Sequence, residues 1–333
     1  MRSSTVWLRS PSFDLSLQVG ALIGIAPVLL IYASLGATRA SSLLPLASLV
    51  TIPFVHVFGS FFFAFSKERN ESASSPRRLG FQWAAWAAAV FAMQAFAPRA
   101  LATLALLYGG WHILRQNFGF LRELAGRAGL AADRTLRTLD LVACAAPAMA
   151  LWLFISARGP WRFLTADVHH LPVPSWLLAL AFAAVPATVI LRDRWLAGRG
   201  ASSRAALLLL AGNSVALLAP ALFVHDLLLI YTLSATYHGF QYLGYLVTRE
   251  RERSGVPLAT TVLLPLGTAI LYSMFALFAA LALVGWLFSP AAAEQTLLVA
   301  WYAIVPFHYF VDGRIWRRRS TRRVQLAHYR AIN

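Results

Sequence analysis

Four histidines lie inside long apolar runs of this chain, where an ionisable side chain is uncommon. They are His56 in FVHVFG, His112 in WHILRQNFG, His238 in TYHGFQY and His308 in VPFHYFVDG. Ionisable residues in such segments usually face the interior of a helix bundle and carry function. Neutral imidazole is a good ligand for iron, zinc and copper. The four histidines are therefore candidate metal ligands.

Their spacing to the next basic cluster indicates that the four histidines share one depth. Lys67 follows His56 by 11 positions, Arg122 follows His112 by 10, Arg249 follows His238 by 11, and the cluster Arg317–Arg319 follows His308 by 9 to 11. In a helix this spacing corresponds to about 15 Å, which is near the middle of a bilayer. Side chains at one depth on four helices could converge on one ion. The alternative is that each imidazole packs separately against its own hydrogen-bond acceptor.

Polar neighbours accompany three of these histidines at helical spacing. Gln116 follows His112 by four residues, Gln241 follows His238 by three, and Asp312 follows His308 by four. Residues three or four apart share a helix face. We expect Asp312 to orient His308 or to bind the metal itself, because metal-bound imidazoles commonly donate to a carboxylate; a pairing of Asp312 with Arg314 or Arg317 is the alternative. Gln116, Gln241 and Tyr242 are expected to supply further hydrogen bonds in a catalytic site.

The elements that position these residues must be membrane-spanning helices. The 333 residues are 59% hydrophobic and only 13% charged, about half the charged fraction of a soluble domain. Continuous apolar runs of bilayer length predict an all-α, polytopic helix bundle. The bundle forms one integral domain over residues 1–333. Ten spans are predicted: 16–38, 42–66, 79–97, 100–121, 138–156, 175–191, 205–224, 226–247, 257–287 and 293–313.

Basic residues predict the orientation of these spans. Of the 29 lysines and arginines, 25 lie at the termini or after even-numbered spans, which places both termini in the cytoplasm by the positive-inside rule. This distribution also argues that the net charge of +16 reflects topology and not nucleic-acid binding. The short basic tail, 314–333, is expected to bind anionic lipid or to dock a cytoplasmic electron donor. We expect a multi-pass protein of the inner membrane.

A metal site surrounded by hydrocarbon favours an apolar substrate and oxidative chemistry. Non-haem iron with dioxygen suits a lipid-soluble substrate, whereas zinc, copper or haem suit this pattern less well. The His-x-x-x-His and His-x-x-His-His boxes of membrane desaturases are absent from the sequence. A transporter with histidines at the mid-plane and a haem-binding redox protein are the alternatives.

Three short motifs resemble those of the bacterial membrane β-carotene dioxygenase family (Brp/Blh type). VPFHYFVDGRIWR is similar to its last motif, a Pro-His followed by an Asp and then by aromatic and basic residues. YHGFQY keeps one histidine of a family pair, with Tyr242 at the second position, and HVFGSF or WHILRQNFG is similar to its His-Phe-Gly motif. The family's Pro-His-Gly motif has no counterpart. The resemblance implies a polytopic dioxygenase whose iron is held by His56, His112, His238 and His308.

Overall fold

The computed structural model describes most of the central part of the chain. The described residues are 7–8, 10–26, 29–30, 32–34, 56–57, 60, 76–163, 166–254, 287, 289, 296 and 299–313. The predicted spans 42–66 and 257–287 lie almost wholly outside them, as does the basic tail, 314–333.

Helices account for most of the described residues. They are α1 (Pro11–Ile23), α2 (Pro76–Phe96), α3 (Pro98–Arg127), α4 (Arg134–Arg158), α5 (Ser175–Ala197), α6 (Arg204–Phe223), α7 (Leu227–Ser254) and α8 (299–313). The predicted spans correspond to the apolar runs of the sequence. Several helices extend beyond these runs into charged sequence, because the backbone hydrogen bonds of a helix continue past the hydrocarbon.

The helix ends follow local capping chemistry. Ser10, Asp133 and Ser203 precede α1, α4 and α6, and their side-chain oxygens accept backbone N–H groups of the first turn. These caps satisfy amides that have no acceptor within the helix. The turn that joins α5 to α6 contains Gly200 with φ of 68°, a conformation that glycine adopts without a steric penalty.

A short hairpin adds a feature that an all-α prediction lacked. Strands β1 (Arg162–Phe163) and β2 (Ala166–Asp167) pair antiparallel in the connection between α4 and α5. Phe163 is fully buried and its ring lies 5.4 Å from that of Tyr231. The apolar contact anchors a loop whose length and polarity gave no strand signal.

Among the described residues, four helices are long and apolar enough to cross a membrane. They are Arg77–Phe96, Arg134–Arg158, Ser175–Ala197 and Arg204–Phe223. Each coincides with a predicted span, and together they indicate a membrane protein. Their outer surfaces carry large exposed apolar side chains such as Phe81, Phe91 and Phe96, as expected for contact with lipid.

The region 205–247 contains two helices and not one. Helix α6 ends at Phe223, and Val224 is extended, with φ of −113° and ψ of 132°. Asp226 then accepts the amide of Leu229 at 3.0 Å and caps α7. Ser234 of α7 donates to the carbonyl of Ala216 on α6 at 3.2 Å, so the short link lets the two helices fold back against each other.

The chain divides into two compact units. The first comprises Met1–Pro53 with Ala102–Leu246, and the second comprises Phe54–Leu101 with Val247–Asn333. In the first unit, α4 packs against α5 and α6, and α6 also packs against α1. In the second unit, the indole nitrogen of Trp86 on α2 donates to the carbonyl of Tyr302 on α8 at 3.3 Å.

Candidate metal centre

A pair of buried imidazoles lies in the first unit. His112 on α3 and His238 on α7 have their Nε2 atoms 2.9 Å apart, with ring centroids at 4.7 Å and planes at 74°. At this separation one nitrogen must donate and the other accept, unless a cation lies between them. The pair brings together two histidines that are 126 positions apart in sequence.

Gln116 fixes the backbone beside this pair. Its Nε2 donates to the main-chain carbonyl of His238 at 3.3 Å, so the glutamine of α3 contacts the helix that carries the second histidine. The sequence predicted a hydrogen bond near His112 on the same helix face. Gln116 instead bonds across to α7, and its acceptor is the main-chain carbonyl of His238 and not an imidazole ring.

Gln241 belongs to a second polar network in the first unit. Its Nε2 donates to Gln18 Oε1 at 2.6 Å and to the Tyr237 hydroxyl at 2.8 Å. Tyr237 also donates to Gln18 Oε1 at 2.6 Å. The network ties α1 to the turn of α7 that carries His238. Tyr242, one turn further along, is completely buried.

The second unit contains two buried histidines and a carboxylate that lie close together. The rings of His56 and His308 lie 5.0 Å apart at 88°, and Asp312 Oδ2 is 3.7 Å from His56 Nε2. All three side chains are buried. The sequence predicts that Asp312 orients His308; the structure places the Asp312 carboxylate against His56, a contact between distant segments that one helix could not reveal.

A metal ion could be held by these buried residues. One ligand atom from each of His56, His112, His308 and Asp312 lies within 4.8 Å of the others. A metal with bonds of about 2.0–2.2 Å holds neighbouring ligand atoms about 3 Å apart and opposite ones about 4 Å apart. Three imidazoles and a carboxylate are donors that suit a divalent transition metal. The donor types therefore fit a metal, and the spacing of up to 4.8 Å is slightly wider than that of ligands around a bound ion.

His238, predicted as a fourth ligand, is not one of these four residues, although its Nε2 lies 2.9 Å from that of His112. The other histidines do not join the cluster among the described residues. His169 and His170 are exposed in the connection that follows the hairpin, and the ring of His225 stacks on Trp161 at 6.3 Å. His328 lies outside the described residues.

Sequence reasoning missed three polar residues beside the histidine-bearing helices. They are Gln18, Asn117 and Asn213, all buried; Asn117 donates to Asn213 at 2.9 Å and so links α3 to α6. The available signal was an amide side chain within an apolar run. Such a residue needs a hydrogen-bond acceptor or donor on another helix.

Comparisons with known proteins add no assignment. No family model, no curated protein and no solved structure matches this chain.

Proposed function

We propose that the protein is a multi-pass inner-membrane enzyme that uses non-haem iron to oxidise a lipid-soluble substrate with dioxygen. The observation that carries this proposal is the buried cluster of His56, His112, His308 and Asp312. Protein ligand sets of histidine and carboxylate with open positions are typical of iron centres that activate dioxygen. Iron bound at the cluster would supply that chemistry.

His238 completes the proposed ligand set. Its Nε2 is 2.9 Å from that of His112, a separation that two ligands in neighbouring positions around one ion adopt. We propose that both nitrogens bind the metal. The contact of Gln116 with the His238 carbonyl would then hold α7 at the height that binding requires.

Asp312 has a separate proposed role at the cluster. Its carboxylate bears the negative charge among otherwise neutral ligands, and it lies 3.7 Å from His56 Nε2. A carboxylate in this position stabilises a bound cation and fixes the orientation of the adjacent imidazole.

A lipid-soluble substrate follows from the surroundings of the site. The cluster is buried, and exposed phenylalanines cover the outer face of α2. An apolar substrate would enter from the bilayer, and the apolar surroundings would keep water from the reacting atoms. Gln116, Gln241 and Tyr242 would support the site, since Gln116 and Gln241 hold the helix that carries His238 through hydrogen bonds.

The spacing of the histidine pair disfavours a haem. Two nitrogens on opposite faces of a haem iron, each with a bond of about 2.0 Å, must lie about 4 Å apart. The Nε2 atoms of His112 and His238 are closer, at 2.9 Å. This geometry supports a non-haem ion over a haem bound by this pair.

The test is metal analysis and oxygen consumption of purified protein. We expect about one iron per chain in the wild type and its loss in His56→Ala and His308→Ala. His169→Ala is the matched control, because this side chain is exposed in the connection that follows the hairpin. Zinc in place of iron, a haem absorption band, or turnover without oxygen would each contradict the proposed function.

A further inference from the structure

A buried cluster of charged residues ties three helices together in the first unit. Asp140 on α4 accepts from Arg192 Nε on α5 at 2.6 Å and from Arg122 Nη1 on α3 at 3.0 Å. Arg122 Nη2 also donates to the carbonyl of Ala131. Asp140 and Arg192 are almost inaccessible to solvent, whereas the Arg122 side chain is 18% exposed.

The cluster has more positive than negative charge. Two guanidinium groups share one carboxylate, so one positive charge has no counterion within the cluster. Nearby pairs do not compensate it, because Glu123 is paired with Arg127 and Asp133 with Arg199. A buried charge without a counterion is unfavourable.

The cluster also has more hydrogen-bond donors than acceptors. Arg192 Nη1 is buried and has no hydrogen-bond partner among the residues that the structure describes. Each terminal nitrogen of a guanidinium carries two hydrogens, so Arg122 also retains donors beyond those bonded to Asp140 and Ala131. An additional group at this position must therefore accept hydrogen bonds and carry negative charge.

The depth of the cluster suits the head group of a lipid. Asp140 lies in the second turn of α4, and Arg192 lies near the last turn of α5, which ends at Ala197. These are the arginine-rich ends of the candidate spans. Basic sites between membrane helices at this depth bind anionic head groups.

We propose that Arg122 and Arg192 form a binding site for one phosphate group, supplied by the head group of an anionic phospholipid. The guanidinium groups donate hydrogen bonds to two phosphate oxygens, and Asp140 keeps both side chains extended toward the site. The partly exposed Arg122 is the side from which the lipid enters. This site is separate from the metal centre and does not depend on the proposed reaction.

Native mass spectrometry of protein purified with phosphatidylglycerol tests the site through substitutions that change its charge. Arg122→Gln leaves a neutral Arg192–Asp140 pair, so we expect about tenfold weaker lipid retention with little loss of fold. Asp140→Asn increases the positive charge and should retain lipid at least as well. Arg122→Lys keeps the charge and should restore most of the retention. Arg134→Gln, at the exposed first residue of α4, is the control.

Each outcome separates the site from a structural clamp. A clamp predicts that Asp140→Asn and Arg122→Gln lower the thermal unfolding midpoint while lipid retention equals that of Arg134→Gln; this result would overturn the proposal. Competition with inorganic phosphate distinguishes a lipid from a free anion. Displacement of phosphatidylglycerol by millimolar phosphate would assign the site to the free anion and contradict the lipid assignment. Equal retention of phosphatidylcholine would show that no anionic group is recognised.

Discussion

At the scale of single residues, the type of proposed metal ligand should decide how a substitution acts. His56, His308 and Asp312 form a compact group in which the carboxylate lies 3.7 Å from an imidazole nitrogen. Imidazoles bind as neutral donors, so removing one deletes a ligand. Changing the carboxylate to an amide preserves the shape of the side chain but removes its charge. The affinity for the metal and the rate of substrate oxidation should therefore respond differently.

Asp312→Asn should retain much of the iron while lowering turnover about tenfold, as is typical when a residue that orients a metal ligand is changed. Iron content and the initial rate of substrate oxidation are measured on the same preparation. Asp167→Asn, at the exposed position of strand β2, is the control. Complete loss of iron from Asp312→Asn would show that the carboxylate is an indispensable ligand and would refute the orienting role.

His238→Ala should remove iron and activity together, because it deletes one proposed ligand and leaves His112 without its contact at 2.9 Å. Binding of cobalt(II), followed by its visible absorption, gives a readout that does not depend on turnover. His225→Ala, beside Trp161, should bind cobalt as the wild type does. Unchanged cobalt binding in His238→Ala would exclude this residue from the ligand set.

At the scale of elements, close packing of α1 positions the helix that carries His238. Leu17 of α1 lies over Gly244, and Phe240 of α7 lies over Gly24. The hydroxyl of Tyr237 occupies the space beside Gly212. Small residues at these crossings allow the helices to approach, which brings Gln18 within hydrogen-bond reach of Tyr237 and Gln241.

Gly212→Ala should destabilise the protein by about 1–3 kcal/mol, as expected for overpacking of a filled interior. A Cβ atom at this position would clash with the Tyr237 hydroxyl. Gly20→Ala is the matched control, since a Cβ there has no atom within 4 Å. The unfolding midpoint in detergent is the measurement, and equal midpoints for the two variants would contradict the packing argument.

The cap of α4 should make stability depend on pH. The amide of Leu136 donates to Asp133, and this bond, with the nearby Arg199, lowers the pKa of Asp133 below 3.8. A carboxyl group whose pKa is lower in the folded state stabilises the protein above its unfolded pKa, and this stabilisation is lost as pH falls through the folded pKa.

Asp133→Asn should therefore reduce the loss of thermal stability between neutral pH and about pH 3. Asparagine can still cap the helix through its carbonyl oxygen, so folding is preserved. The unfolding midpoint is compared at both pH values with that of Asp167→Asn. An identical pH dependence in the wild type and in Asp133→Asn would show that the cap contributes nothing to it.

At the scale of the whole molecule, the distribution of basic residues predicts the topology. Arg192 and Arg194 lie in the last turns of α5, and Arg199 lies in the turn that follows. The chain's last twenty residues carry seven arginines. Positive residues near short loops stay on the cytoplasmic side.

Reporter fusions after Gly200 and Asn333 should both report the cytoplasm. Paired reporters, one active in the cytoplasm and one active outside the membrane, give opposite signals and serve as mutual controls. An external signal at either position would overturn the ten-span arrangement.

Deletion of the residues after Thr321 should weaken association with anionic vesicles and leave the iron content unchanged. Each arginine near such a surface contributes about 1 kcal/mol. Binding to vesicles and metal content are measured on one preparation. Loss of iron on deletion would contradict a tail that acts only at the membrane surface or toward an electron donor.

The sequence by itself determined the helical, membrane-embedded character of the chain, because long apolar runs have few stable backbone arrangements in lipid. It also identified the unusual residues. A histidine in an apolar run is recognisable without knowledge of its contacts in the fold. His56, His112, His238 and His308 could therefore be selected from the local sequence alone. For the break between α6 and α7, the sequence indicated two spans but left the number of helices in this region open.

Only the tertiary structure decided which side chains contact each other. The placement of Asp312 against His56, the bond from Gln116 to the His238 carbonyl, and the Gln18 network depend on how helices far apart in sequence are rotated and packed. Helical periodicity gives the face of one helix but not the helix opposite to it. The charged cluster around Asp140 has the same origin, since its three helices supply one residue each.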